Sequence, residues 1–592
     1  MEDVDIVPGG GSSRPASSPI VLAGMFISGL CRPGRLRGRL SIALLISLLL
    51  AAAYMVRGNT DHIKNYVSTS LSSSNKPASE SEETKWVIGA GNSSSNGSID
   101  GNKFVLIIPA RRPSVALCKT LVSAAILNYP PPTLVGYNSE NSNEADGGAT
   151  TDTLKFLLSK QIQDGDLALV VDERTWFQLP AQVMVDRFDS HLERSNAALL
   201  SKYGAHDDGT RNKQPQGRFR EKILLGAEKS CIDHKPEDTA CYASPLSPLP
   251  KDIYGPNTDE PPGSINYRPR YLFSPNMIGH AGDLKDMLQY AQLKLDTRTE
   301  KTSTQYLFSE IFGDQELKRE KVRRDSLNPL SAFKEWLIRK NPKNDHQTLL
   351  GIDKLDLTNT GPTNNNNPDF GIGLDYTSSI FQVLDNSVDD IQFVTFNHPT
   401  IVNSPSRISA SDFSHPIDLP QDLNSTAPPF KLHSTPVQGP VSDLPLLEVD
   451  KLPVNKPWAD VGLATNIIVP GTEIPSSLSL FGAGTPGLED KWWKKMWYQP
   501  KARALMRRYM RSYTGHIAAE AAARGGELWW DFRGGKGGIW TDKGEFLEWQ
   551  EVCGQYDETV FGDKMGKLGE EDNVAQPVYN KFGKIIADKS GQ

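Results

Sequence analysis

The residues best placed to do chemistry stand at the end of one apolar run. Leu167-Ala168-Leu169-Val170-Val171 gives way at once to Asp172-Glu173-Arg174. A short apolar, β-branched run ending in acid is the pattern of a buried parallel strand that delivers a carboxylate to its carboxyl end. In open α/β sheets that end is where ligands sit. A carboxylate at Asp172 or Glu173 can hold a divalent metal against the phosphates of a sugar nucleotide. The plainer alternative is a strand-end acid that caps the next turn. Two other runs end in charge. Phe104-Val105-Leu106-Ile107-Ile108-Pro109 is followed by Arg111 and Arg112, cations suited to a diphosphate, and Ile223-Leu224-Leu225-Gly226-Ala227 by Glu228.

The elements needed to position these groups are legible around them. Ser114 to Asn128 has helical periodicity, Thr133 to Tyr137 reads as a second strand, and Thr153 to Gln163 as a second helix leading into the run at Leu167. Ala181 to Arg194 is a helix after it. Strand, helix, strand, helix, strand predicts a doubly wound α/β fold. Further on, Arg270 to Phe273 and Ile391 to Val394 read as strands, and Asp283 to Leu295 and Thr304 to Phe312 as helices.

The chain before this body has a different character. Leu40 to Val56 carries no charged residue. At ~1.5 Å per residue it spans roughly 25 Å, the short end of what crosses a bilayer. Arg32, Arg35, Arg37 and Arg39 crowd its amino side, which places the amino terminus in the cytosol and the remainder in the lumen. The competing reading is a signal peptide cleaved near Ala51-Ala52-Ala53. An uncleaved anchor divides the chain into a disordered cytosolic tail (1–39), a transmembrane helix (40–56), a disordered luminal stem (57–102), an α/β domain (103–400), a Pro/Ser-rich irregular excursion (401–470) and a Trp-rich C-terminal part packed on that domain (471–592). The address is the Golgi or endoplasmic reticulum membrane, single-pass, type II. In that compartment Asn92, Asn96 and Asn424 are N-glycosylation sites, and Cys231 and Cys241 form a disulfide. Cys118 and Cys553 are left either paired or free.

Composition excludes several classes. A net charge of −7 over 592 residues gives no reason for a nucleic-acid partner. The five cysteines contain no CxxC pair, which argues against a zinc ribbon or thioredoxin-type site. Gly534-Gly535-Lys536-Gly537-Gly538 lacks the GxxxxGK[ST] pattern of a phosphate loop. Trp492, Trp493, Trp497 and Tyr498, set among lysines, could stack on sugars; the alternative is a C-terminal helix docked by its aromatics.

Four segments occur in a telling order: LALVVDERTWFQLP, GAEKSC, YRPRYLFSPNMIG and GIGLDYTSSIFQVL. Together they resemble the GT-A glycosyltransferase domain of procollagen lysyl hydroxylases and collagen glycosyltransferases, in the form carried by a group of fungal single-pass membrane proteins. The resemblance covers roughly residues 103 to 500. It implies a GT-A (Rossmann-like) nucleotide-diphospho-sugar transferase fold, a UDP-sugar donor, Mn²⁺, and a glycan or glycoprotein acceptor. Carried over residue by residue, it implies Asp172 as a metal ligand that also faces the nucleotide, and Glu228 and Asp375 as catalytic residues; beside these the strand ends offer Glu173 as a substitute metal ligand and Arg111 and Arg112 toward the nucleotide. The sequence also departs from the family. Thr175 stands where the second acid of Asp-x-x-Asp belongs, Phe273 and Pro275 replace Asn and Gly, Ser303 and Thr304 replace an acidic pair, and no His occurs near Leu480 to Gly484. Two functions therefore compete: a hexosyltransferase of the secretory pathway, or a catalytically degenerate member that acts by binding a partner or glycan.

Overall fold

The computed structural model describes residues 103–139, 147–205, 217–261, 263–298, 302–326, 368–397, 418–431, 449, 451–469, 473–480, 487–510, 539–568, 577–579 and 585–588. The expected tail, anchor and stem, Asn92 and Asn96, and the Gly-rich segment at 534–538 lie outside the described residues. Among the described residues no helix is long and apolar enough to cross a membrane.

The chain builds β1 (Phe104–Pro109), α1 (Val115–Ile126), β2 (Thr133–Val135), α2 (Gly147–Leu157), β3 (Leu167–Val170), β4 (Thr175–Phe177), α3 (Ala181–Tyr203), β5 (Ile223–Glu228) and β6 (Tyr271–His280). It continues with α4 (Ala281–Asp296), α5 (Thr304–Asp325), β7 (Ile372–Asp375), β8 (Phe381–Val383), β9 (Ile391–Val394), β10 (Leu463–Asn466) and β11 (Ser477–Ser479). Then follow α6 (Leu488–Trp493), α7 (Ala502–Met510), β12 (Ile539–Thr541) and β13 (Phe546–Leu547). The main sheet has eight strands in the order β13-β12-β2-β1-β3-β6-β5-β7. β12, β2, β1 and β3 run parallel in succession, and β7 is parallel to β5. β6 is antiparallel to both β3 and β5. The fold is thus α/β with a large mixed sheet.

Both faces of the sheet are buried, which is why its central parallel strands β1 and β3 are apolar throughout. On β1, Phe104, Leu106 and Ile108 enter one core with Leu117 and Leu121 of α1 and Val183 and Phe188 of α3. Val105 and Ile107 enter the other with Leu154 of α2, Leu284 of α4 and Phe308 of α5. The period of two along one strand feeds both cores.

Two stretches read by composition contribute described residues to the body. The stretch 401–470, expected to be irregular, supplies β10, which pairs with β9 from Leu463 to Asn466. It also buries Leu423, Phe430, Trp458 and Val461 in the α1-side core. Its prolines dilute the average, but apolar residues spaced between them suffice to dock it. The tryptophans of the C-terminal part are structural. Trp492, Trp493, Trp497 and Tyr498 are all buried. The Trp497 indole donates to Gln178 O at 2.9 Å and meets Phe430 and Trp458 edge-on.

Two disulfides staple the body. Cys118 of α1 joins Cys553 across 435 residues, and Cys231 joins Cys241 within the loop after β5.

Candidate functional site at the sheet's carboxyl edge

From β1 the chain moves to β2 on one side and returns to β3 on the other, so the strand order reverses between β1 and β3. The crevice outside the carboxyl ends at such a switch point is the general ligand site of open α/β sheets. Here it is framed by residues 110–114 after β1 and residues 171–174 after β3. Ser114 is the N-cap of α1, its hydroxyl accepting from Leu117 N at 3.0 Å. The same hydroxyl donates to Glu173 Oε2 at 3.2 Å, and Thr120 Oγ1 donates to Glu173 O at 2.7 Å. The helix start and the strand end are thereby tied together.

The two acids of the switch point are half-buried and partly engaged. Asp172 Oδ1 accepts from Arg174 N at 2.9 Å. Burial raises the Asp172 carboxyl above the usual range, and the Arg174 amide works against this. Burial also raises Glu173, with the neighbouring Asp172 charge adding to it. Arg112 and Arg174 are exposed at the rim. Arg111 faces elsewhere: it pairs with Asp152 of α2 at 2.8 Å and donates to Ser139 Oγ at 2.6 Å.

Thr175 closes the back of the turn. Fully buried, it donates from Oγ1 to Asn276 Oδ1 at 3.0 Å. Asp172 N donates to the same oxygen at 3.1 Å. Asn276 can reach because β6 is interrupted. Pro275 has no N–H to give to a ladder, and the pairing with β5 shifts register between Leu225 and Gly226. Ser274 N turns instead to Gln305 Oε1 at 2.8 Å. Gln305 Nε2 lies 2.6 Å from Leu272 O, 3.1 Å from Glu228 Oε1 and 3.0 Å from Ser309 Oγ, one acceptor more than its two N–H groups can serve at once.

Glu228 ends β5 with 1% of its surface exposed, and its Oε2 has no hydrogen-bond partner among the described residues. Burial, and then the charges of Asp385 and Asp233, push this carboxyl well above the ordinary range. Asp375 ends β7 and is fully buried. Its Oδ1 accepts from Ser379 N at 3.1 Å and from the hydroxyls of Thr377 and Ser379 at 3.3 Å each. Its Oδ2 accepts from Ile380 N at 2.7 Å and Phe381 N at 2.9 Å. Both oxygens are therefore spent on the turn into β8. Phe273 is buried against Gly226, where an added Cβ would come within 3.2 Å of its ring.

No protein-family model matches the chain, and no curated protein matches it.

The predicted residues thus fall into separate groups. Asp172 and Glu173 meet at the switch point with Ser114. Glu228 belongs to the Gln305 network, on the far side of β6 from β3. Asp375 staples its own turn. Arg111 braces α2. Asn424 is exposed on a short helical turn. The donor set does not fit a divalent cation on a diphosphate. It offers two adjacent carboxylates, one oxygen of each already bonded, and a threonine hydroxyl committed to an amide. Among the described residues no three His, Cys, Asp or Glu side chains gather into a metal-binding group.

Asn276, Gln305 and Ser114 were not singled out as site residues from sequence. A signal existed for two of them. Ser114 precedes a helical run as an N-cap does, and Pro275 inside a strand pattern announces an irregularity beside Asn276. Nothing in the sequence marks Gln305 as a hub.

Proposed function

We propose that the folded body is a glycosyltransferase-type nucleotide-sugar fold, tethered in a Golgi or endoplasmic reticulum membrane, that recognises a UDP-sugar at the switch point without metal-assisted transfer. The observation that carries this reading is the commitment of Thr175 to Asn276. The position from which a second carboxylate would reach a metal holds a neutral hydroxyl, already bonded and fully buried. Asp375, with five donors on its carboxylate, offers no substitute. The parallel strands ending at one edge support the nucleotide-binding part of the proposal. The two disulfides support an oxidising compartment, in keeping with a body on the luminal side of an anchor at 40–56.

Calorimetric titration of the full chain in detergent with UDP and UDP-hexoses, with and without Mn²⁺, tests this. The expected result is binding indifferent to Mn²⁺ and no consumption of the donor. An affinity that rises with Mn²⁺, or turnover of a UDP-hexose, overturns the proposal.

One observation favours a second reading, transfer without a metal. Glu228 is a buried carboxyl with one oxygen unpartnered among the described residues, raised toward its protonated form, the state a general acid needs at neutral pH. Under that reading a UDP-hexose is consumed without Mn²⁺ and Glu228→Gln abolishes the turnover.

A further inference from the structure

Behind the Asp172–Glu173 turn stand three buried polar side chains whose hydrogen bonds do not close on themselves. Thr175, Asn276 and Ser479 are each fully buried. Thr175 of β4 and Ser479 of β11 stand directly opposite in an antiparallel ladder. Leu480 N donates to Arg174 O at 3.1 Å, which makes the adjoining pair the hydrogen-bonded one. Thr175 and Ser479 therefore form the non-hydrogen-bonded kind of pair, in which the side chains share a face and approach most closely.

The Asn276 amide cannot be turned around. Asp172 N–H needs an acceptor and finds it in Oδ1, and the Thr175 hydroxyl proton goes to the same atom. The amide nitrogen must then point the other way, and there it has no partner among the described residues; neither does Ser479 Oγ. A buried amide N–H₂ and a buried hydroxyl left unpaired would both forfeit the hydrogen bonds they make in water.

We infer that Thr175, Asn276 and Ser479 enclose a binding site for one ordered water molecule. The water accepts from Asn276 Nδ2, donates to Thr175 Oγ1, whose own proton is committed to Asn276, and exchanges its third bond with Ser479 Oγ. Three bonds to otherwise unsatisfied buried groups is the usual condition of an internal water. The site takes a neutral molecule, because the amide presents donors where a cation needs acceptors. Its place gives it a task. Asn276 holds the Asp172 amide, and the water holds Asn276, so the turn that carries both switch-point acids rests on it.

A crystal structure of the protein, soaked with Mn²⁺ and unsoaked, tests the inference, together with the same structure of Ser479→Ala. The expected result is a single peak within about 3 Å of both Asn276 Nδ2 and Ser479 Oγ. It has no anomalous signal after the soak, and it is lost or displaced in Ser479→Ala. A direct bond between Asn276 Nδ2 and Ser479 Oγ, a dry gap between them, an anomalous manganese peak at the site, or a peak unmoved by Ser479→Ala overturns it.

Discussion

Asp375 separates a structural carboxylate from a catalytic one by experiment. In Asp375→Asn one oxygen becomes an N–H₂ group of nearly the same size. Placed on the Oδ2 side, that group would face two backbone N–H donors, Ile380 at 2.7 Å and Phe381 at 2.9 Å. Placed on the Oδ1 side, it faces one backbone donor, Ser379 N, and two hydroxyls that can rotate to accept. The second orientation costs less. It still orphans one buried N–H, at about 1–3 kcal/mol, and removes the charge that strengthens the two bonds kept on the other oxygen, at about 1 kcal/mol each. The sum is ~4 kcal/mol. With an unfolding entropy of ~2.1 cal/mol/K per residue over the roughly 330 described residues, that corresponds to a fall in Tm of about 6 °C. Thermal unfolding of Asp375→Asn beside Glu173→Gln is the assay. Glu173 loses one hydroxyl bond on a half-buried group, so its Tm is expected to move by about 1 °C or less. An Asp375→Asn protein with the parent Tm and lost UDP binding would refute the reasoning and return Asp375 to the site.

Other outcomes follow from the same geometry. Glu473, beside Arg187 at 3.4 Å, is raised by burial to about 7 despite that cation. Its folded value exceeds its unfolded one, so the stability it contributes is full below about pH 4.5 and declines as pH rises through about 7. Denaturant midpoints measured from pH 4.5 to 8 should therefore show a downward component that Glu473→Gln removes. Replacing both Cys118 and Cys553 by Ala frees a 435-residue loop in the unfolded chain and is expected to cost about 3–5 kcal/mol. An unchanged denaturant midpoint against the parent would show that the bond constrains nothing. Protein from a glycosylating host should shift on a gel after enzymatic deglycosylation, with a smaller shift in Asn424→Gln. No shift in either would place the body outside the secretory lumen.

Most of the α/β frame could be read from the residues because its signals are local. The run from Phe104 to Pro109, the helical period from Ser114 to Asn128 and the apolar-to-acid step at Val171 are each contained in one short segment. The sequence pattern places the helix before β3 at Thr153 to Gln163, whereas it lies at Gly147–Leu157. The polar run Thr150, Thr151, Asp152 and Thr153 gives its start no apolar stripe to announce it, and packing against α4, β1 and β2 fixes it. The C-terminal strand β12 joins the sheet beside β2, some four hundred residues away in sequence, which no local pattern could announce.

The sequence by itself determined which side chains stand at the carboxyl edge. Asp172, Glu173, Glu228 and Asp375 are strand-end acids because apolar runs deliver them there. It also determined that no carboxylate occupies position 175. Tertiary structure alone decided what those acids are free to do. Whether a carboxylate is open or spent depends on donors that the fold brings to it. Ser379, Ile380 and Phe381 turn back onto Asp375, and Ser114 crosses from the next strand's loop to Glu173. A proline-broken strand sends Asn276 behind Thr175, and Gln305 arrives from a distant helix to meet Glu228. The physical reason is the reach of a hydrogen bond, about 3 Å, which sequence separation does not measure.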